Sequence, residues 1–276
     1  MQQSHAFFIV SSGRSGTAML HKVLSSLPGV EMHHEYAVQI TQPLAVRRYL
    51  GLTERKDVLA ILRTVHGAAV HHSEAAHWGD SSNKLSWLIP ELAELFPNGR
   101  FIHLVRDGRK VAGSYFRKLG DECYDDRSNA VMQGFYDDPA QIPPPPEKKY
   151  WWPVPRRDDP LAGDFRRFDQ FSRIAWHWAE INRVILSALS ALAPERQLFI
   201  RLEDLRRDPA SLAGLFAFLG LRGEKSHFAM FNRPHNVNRP EDSRLSEPQR
   251  AAFTRIAGTM MARLGYAGTD EYVVKY

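Results

Sequence analysis

The chain predicts an α/β fold: a mostly parallel sheet of about five strands with helices on both faces, in a single domain spanning residues 1–276. Three observations predict it. Short apolar runs alternate along the chain with amphipathic stretches, the pattern of strands joined by helical crossovers. The run "AFFIV" passes directly into "SSGRSGTAML", a strand leading through a glycine-bearing turn into a helix. Phe171, Ile174, Trp178, Ile181, Ile185, Leu189 and Leu192 recur at steps of three and four, so one long helix buries a single stripe.

In chain order, Ala6 to Ser12 reads as the first strand and Gly16 to about Leu27 as a helix stopped by Pro28 and Gly29. "VEMHHE" follows as a more polar second strand. "WGDS", Trp78 to Ser81, is a short third, and "LSWLIPELAELF" has apolar residues at helical spacing until Pro97. "RFIHLVRD" is a strong strand, with a helix from about Arg109 to Leu119. The long helix comes next, then a last core strand over Gln197 to Leu205 and a closing helix near Gln249 to Leu264. The segment 120–164 stands apart. Its "QIPPPPEKKYWWPVPRRDDP" holds four consecutive prolines, which forbid helix and favour an extended surface path, so a loop acting as a lid or substrate wall is expected. Tyr150, Trp151 and Trp152 either line an acceptor pocket or pin that loop to the body.

Composition bounds the function. With 43% hydrophobic and 24% charged residues, the chain has the balance of a globular protein with a sizeable core. A formal charge of +5 suits an anionic ligand, a polyanion or a membrane surface equally. Cys123 is the single cysteine, which excludes an internal disulfide and a cysteine-based metal site. Neither a signal peptide nor an apolar run of membrane-spanning length is present, so a cytoplasmic protein is expected. "HHSEAAH" lacks the i, i+4 histidine pair of zinc helices, and no metal is expected. The basic, aromatic-interleaved pieces "RKVAGSYFRK" and "DFRRFDQF" belong to no nucleic-acid module, and no nucleic-acid partner is expected.

The turn "SSGRSGT" is built for an oxyanion, since backbone N–H groups at a helix start point outward along the positive end of the helix dipole. The arrangement is P-loop-like, yet the full nucleotide pattern GxxxxGK[ST] is not met: no lysine precedes Thr17, and Arg14 offers its planar fork of donors instead. A second feature joins it. In "FIHLVRDGRKVAGSYF" a strand ends at Arg106, and Ser114 follows eight positions later, about two helical turns in, where its hydroxyl can face the strand end. Arginine and hydroxyl together suit a second phosphate.

These two stretches resemble the 5′-phosphosulfate loop ("FIVSSGRSGTAML") and the 3′-phosphate segment ("FIHLVRDGRKVAGS") of sulfotransferases that use 3′-phosphoadenosine 5′-phosphosulfate (PAPS). "WGDSSNKLSWLIPELAELFPNGRFIHLVRD", "IRLEDLRRDPASLAGLFAFLGL" and "MARLGY" are similar to further parts of that family, so the likeness touches most of the chain except the proline-rich insert. The resemblance implies that Gly13, Arg14, Ser15, Gly16 and Thr17 hold the phosphosulfate, and that Arg106 and Ser114 hold the 3′-phosphate. It implies PAPS as donor, adenosine 3′,5′-bisphosphate (PAP) as product, no metal, and a hydroxyl-bearing glycan, lipid or small-molecule acceptor. A base for that hydroxyl is sought in "MHHEY". Glu35 comes first, because carbohydrate- and glycolipid-directed relatives carry a glutamate there; His34 and His33 follow. Strand alternation puts Glu35 and His33 on one face and His34 on the other.

The chain also departs from the family. Leu202 stands where many members place a tyrosine against adenine, and the Arg-Lys-Gly loop of the steroid and phenol branch is not recognisable. Lys84 in "SSNKLS" is either a donor-side lysine or a solvated helix-start residue. The rival readings are a phosphate-loop small-molecule kinase and a non-catalytic nucleotide- or polyanion-binding protein.

Overall fold

The computed structural model describes residues 4–232 and 244–269. Along the chain, β1 (His5–Val10) leads through α1 (Thr17–Leu24) to β2 (Val30–His34). Next come α2 (Val38–Tyr49), α3 (Arg55–Leu62), a π-helical turn (Arg63–Gly67) and α4 (Ala68–His72), ahead of β3 (His77–Ser81). A 3₁₀ turn (Leu85–Trp87) and α5 (Ile89–Leu95) precede β4 (Arg100–Val105). After it lie α6 (Gly108–Lys118), α7 (Asp126–Asp137), α8 (Ala162–Phe165) and α9 (Gln170–Leu189), then β5 (Gln197–Arg201), α10 (Leu202–Arg207), α11 (Pro209–Leu219), α12 (Lys225–Asn232) and α13 (Glu247–Arg263).

The described residues gather into two compact units. The first comprises those within Met1–Ala37, Arg55–Arg106 and Val184–Val237, and holds the whole sheet. Its five strands are all parallel, in the order β2-β3-β1-β4-β5. Central β1 is buried on both faces, which is why "AFFIV" reads as a continuous apolar run and not an alternating one. Phe7 and Ile9 face one way, into a core with Leu20, Val23 and Leu24 of α1, Leu215 and Phe216 of α11, and Phe231 of α12. Phe8 faces the other way, against the rings of Phe101, Phe96, Trp78 and His66 at centroid distances of 5.3 to 6.4 Å. Helices therefore cover both faces. Gly79 on β3 is a close-approach site, since a Cβ there would lie 2.2 Å from Phe7 Cζ.

The second unit, within Val38–Glu54, Asp107–Arg183 and Asn238–Tyr276, is helical. Asp107 caps α6 by accepting the Arg109 N–H at 2.9 Å, and Gly108 admits the Trp178 and Phe253 rings so closely that a Cβ would meet both at 2.6 Å. A capping box of Ser246 and Gln249 starts α13.

Several boundaries differ from expectation. Helix α7 occupies a stretch expected as loop: Asp125 caps it by accepting the Ser128 N–H, and Asn129, Met132 and Phe135 bury one face at helical spacing. The prolines 143–146 are non-helical, as expected. Tyr150, Trp151 and Trp152 are buried and pin the insert. Trp151 Nε1 donates to Pro145 O at 2.7 Å, Trp152 Nε1 to Glu122 O at 2.6 Å, and the Gln42 amide holds the Trp151 carbonyl at 2.8 Å. The last strand ends at Arg201, because Leu202 and Leu205 fall three apart and turn their side chains inward as the helix α10. Among the described residues no helix is long and apolar enough to cross a membrane.

Candidate active site

In a parallel sheet of this order, successive connections leave β1 and β4 in opposite directions, and the crevice at their carboxyl ends is the natural ligand position. The loop after β1 lies there. It passes through left-handed backbone at Gly13 (φ 77°), Arg14 (φ 53°) and Gly16 (φ 91°). Its own hydroxyls brace it. Ser11 Oγ accepts the Gly13 N–H at 3.0 Å, Ser15 Oγ donates to Gly13 O at 3.0 Å, and Ser12 and Ser15 hydroxyls lie 3.2 Å apart. Ser86, in the 3₁₀ turn after β3, clamps the loop's base by bonding both the N–H and the carbonyl of Ser11 at 3.0 Å.

Gly16 is the N-cap of α1, with no side-chain cap of its own. The first-turn amides of a helix have no intrahelical acceptor, so this end is preorganised for an anion. The side chain of Leu202 presses on Gly16, where a Cβ would lie 2.6 Å from Leu202 Cδ1. Only glycine meets both the conformation and the contact.

Arg106, just past the end of β4, donates from Nη1 to the Arg14 carbonyl at 2.9 Å. Two motifs 92 residues apart in sequence thus meet at the carboxyl ends of neighbouring strands β1 and β4. Ser114 belongs to α6 in the second unit and is half-buried there.

The three base candidates have different surroundings. The strand β2 stops at His34, and Glu35 turns into left-handed backbone at φ 58°, so the expected alternation ends before Glu35 and does not place it on the face of His33. Its carboxylate reaches Lys84 Nζ at 2.5 Å, with side chains 21% and 10% exposed. Lys84 lies two residues before Ser86, which clamps the loop after β1. His33 is engaged elsewhere: its Nε2 lies 2.8 Å from Glu31 Oε1, and its ring packs on Tyr36 and Trp78. His34 Nδ1 lies 2.8 Å from Ser81 Oγ and 3.0 Å from Ser81 O.

Electrostatics behind the strand follow from burial and these contacts. Desolvation, with His34 beside it, holds His21 below its ordinary pKa. Burial opposes ionisation of Glu31, but hydrogen bonds from Ser73 and His33 outweigh it and keep its pKa below the usual range. Sequence reasoning left Lys84 open and missed Ser86. A polar residue two positions after a lysine carries no local signal of a clamp; only the β1–β3 pairing reveals it.

The model of the Sulfotransferase family matches residues 6–139, a span that includes the loop, Glu35, Lys84 and Arg106. No curated protein matches the chain in sequence. Solved structures share the fold. The sulfotransferase domain from the curacin biosynthetic pathway is 17% identical and aligns over 94% of this chain and 98% of its own, with a TM-score of 0.50. The sulfotransferase domain of the Synechococcus PCC 7002 olefin synthase is 16% identical over 94% of this chain and 96% of its own, with a TM-score of 0.51. Sulfotransferase STF9 from Mycobacterium avium is 13% identical, over 95% of this chain and 77% of its own, also with a TM-score of 0.51.

Proposed function

We propose that the chain is a sulfotransferase, the family whose model matches residues 6–139, and that it transfers the sulfuryl group of PAPS to a hydroxyl of a carbohydrate, glycolipid or small metabolite by in-line displacement. The observation that carries the reading is the meeting of Arg106 with the Arg14 carbonyl, which brings a guanidinium to the edge of the anion loop. The donor supplies an activated sulfuryl group with a good leaving group.

The chain's own residues do the rest. Amides of Ser15, Gly16 and Thr17, with Gly13 shaping the turn, bind the 5′ group, and Arg14 adds a guanidinium. Fixed donors of this kind stabilise developing charge without reorganising and without a metal. Arg106 serves the 3′-phosphate, and Ser114 is its proposed partner on sequence grounds. Glu35 takes the acceptor's proton, and Lys84 fixes the direction of that carboxylate. His34 and His33 are the successors if Glu35 fails. The single buried cysteine suits a cytoplasmic setting.

A titration in EDTA tests the reading. PAP is expected to bind and ATP to bind far more weakly, and Arg106→Ala is expected to weaken PAP by about 1.5–3 kcal/mol, the range for a charge-assisted contact. Preference for ATP with Mg²⁺ would make the chain a kinase. Retention of PAP with no transfer from PAPS to a panel of sugars, alkyl glycosides and phenols would make it a binding protein.

A further inference from the structure

Asp80 takes no part in the reading above, yet it is fully buried beneath the Glu35 turn. We infer that Asp80 is the positioning residue for Glu35, holding a strained turn through the backbone amide of Tyr36. This rests on the assignment of Glu35 as base.

The turn needs holding. Glu35 (φ 58°) and Ala37 (φ 49°) are both left-handed, and neither is glycine. Each such residue costs about 1–2 kcal/mol and persists only where its surroundings over-determine it. The β2–β3 ladder pairs His33 with Asp80 and His34 with Ser81, and the Glu35 N–H still finds Ser81 O at 3.1 Å. Past that point the ladder has nothing to offer. The Tyr36 N–H instead meets Asp80 Oδ1 at 3.2 Å. Tyr36 is held at its other end by edge-on ring contacts with Trp78 and His66, at 5.4 and 5.5 Å. With Lys84 on the Glu35 carboxylate, the turn is fixed at its amide, its ring and its functional group.

Asp80 is an expensive way to hold one amide. Its Oδ2 has no hydrogen-bond partner among the described residues and stands 3.8 Å from His66 Nε2; both ring nitrogens of His66 likewise lack one. His66 is itself fully buried and sits in the π-helical turn, a distortion frequent at functional sites. Half-satisfied buried polar groups destabilise a fold, and a carboxylate is a strong acceptor able to fix a strained amide where a hydroxyl would be too short. The pair is explained by what it orients, not by stability.

The test uses the full-length protein and Asp80→Ala, Asp80→Asn, Glu35→Gln and the Asp80→Ala/Glu35→Gln double variant. Readouts are hydrogen exchange of the Tyr36 amide, PAP affinity, and PAP release from PAPS with n-octyl β-D-glucoside as hydroxyl probe. In Asp80→Ala the Tyr36 amide should exchange at least about 10-fold faster, as a locally released group does. Its kcat should fall about 10–100-fold, as misplacing a catalytic group does, with KM for PAPS and PAP affinity within about 2-fold. Asp80→Asn, whose amide oxygen still accepts, should restore most of both. In the Glu35→Gln background, Asp80→Ala should add less than about 2-fold, because both act through one group. Unchanged Tyr36 exchange in Asp80→Ala, or a full multiplicative loss in the double variant, would overturn the inference. Full activity in Glu35→Gln would remove the base assignment instead, and the exchange measurement would then decide alone whether Asp80 holds the turn.

Discussion

The Ser11–Thr17 loop and the Glu35–Ala37 turn both follow parallel strands of one sheet, both run through left-handed backbone, and both face the proposed chemistry. They reach that conformation differently. In the loop, two of the three left-handed positions are glycines, and the hydroxyls of Ser11, Ser12 and Ser15 brace the path from within, with Ser86 and Arg106 adding bonds to its backbone from outside. In the turn, Glu35 and Ala37 adopt positive φ with full side chains, and the restraints arrive from β3 and the segment just after it: Ser81, Asp80 and Lys84. A site that binds through backbone amides can use glycine freely. A site that presents a side chain cannot, so its strain has to be held from outside.

The largest way to separate the two is Glu35→Gln. Turnover should fall about 100-fold or more with PAP binding intact, as removal of a positioned base requires. Initial rates beside a PAP titration check it. Normal turnover would make the turn a structural corner and pass the base role to His34, which is exposed and lies against Ser81 through Nδ1, or to His33.

Gly16→Ala strikes the loop instead. The new Cβ would have to adopt φ near 91° and sit 2.6 Å from Leu202 Cδ1, a terminal methyl that can give way in part. The expected cost is about 2 kcal/mol of stability, read as a lowered urea midpoint, with PAP affinity lost in the folded fraction. Retained PAP affinity would show that the amides at the start of α1 do not form the cup.

This contrast also explains what could be read from the sequence. Glycines at 13 and 16 announce a turn in any alignment-free reading, and the stripe from Phe171 to Leu189 announces α9, because both signals are local. Arg106 was legible for the same reason, as the residue directly after an apolar run. The Glu35 turn was not: alternation continues on paper through "VEMHHE", and nothing in the residues themselves says that the ladder ends at His34. Asp80 and Ser86 were invisible because their partners, Tyr36 and Ser11, lie 44 and 75 positions away. Helix α7 was hidden by its neighbours, since the four prolines that follow it coloured a whole segment in which Asp125 and Phe135 already mark a cap and a buried face.

The smallest effect gives the finest resolution of the comparison. If the strain at Ala37 is held from outside, then relieving it should cost nothing in function: Ala37→Gly removes the Cβ penalty at φ 49° but widens the unfolded ensemble, two terms of about 1–2 kcal/mol and about 0.4–1 kcal/mol that leave a net gain of about 0–1.6 kcal/mol. Urea unfolding of wild type and variant in parallel resolves a shift of that size only through the sign of the midpoint change, so the rate is the more telling readout. With Asp80, Lys84 and the Tyr36 ring still in place, turnover should stay within about 2-fold, the turn being fixed by contacts that Ala37 does not make. A marked fall in turnover would mean that Ala37 stiffens the turn through its own restricted backbone, and that the Glu35 corner, like the loop, is shaped from within.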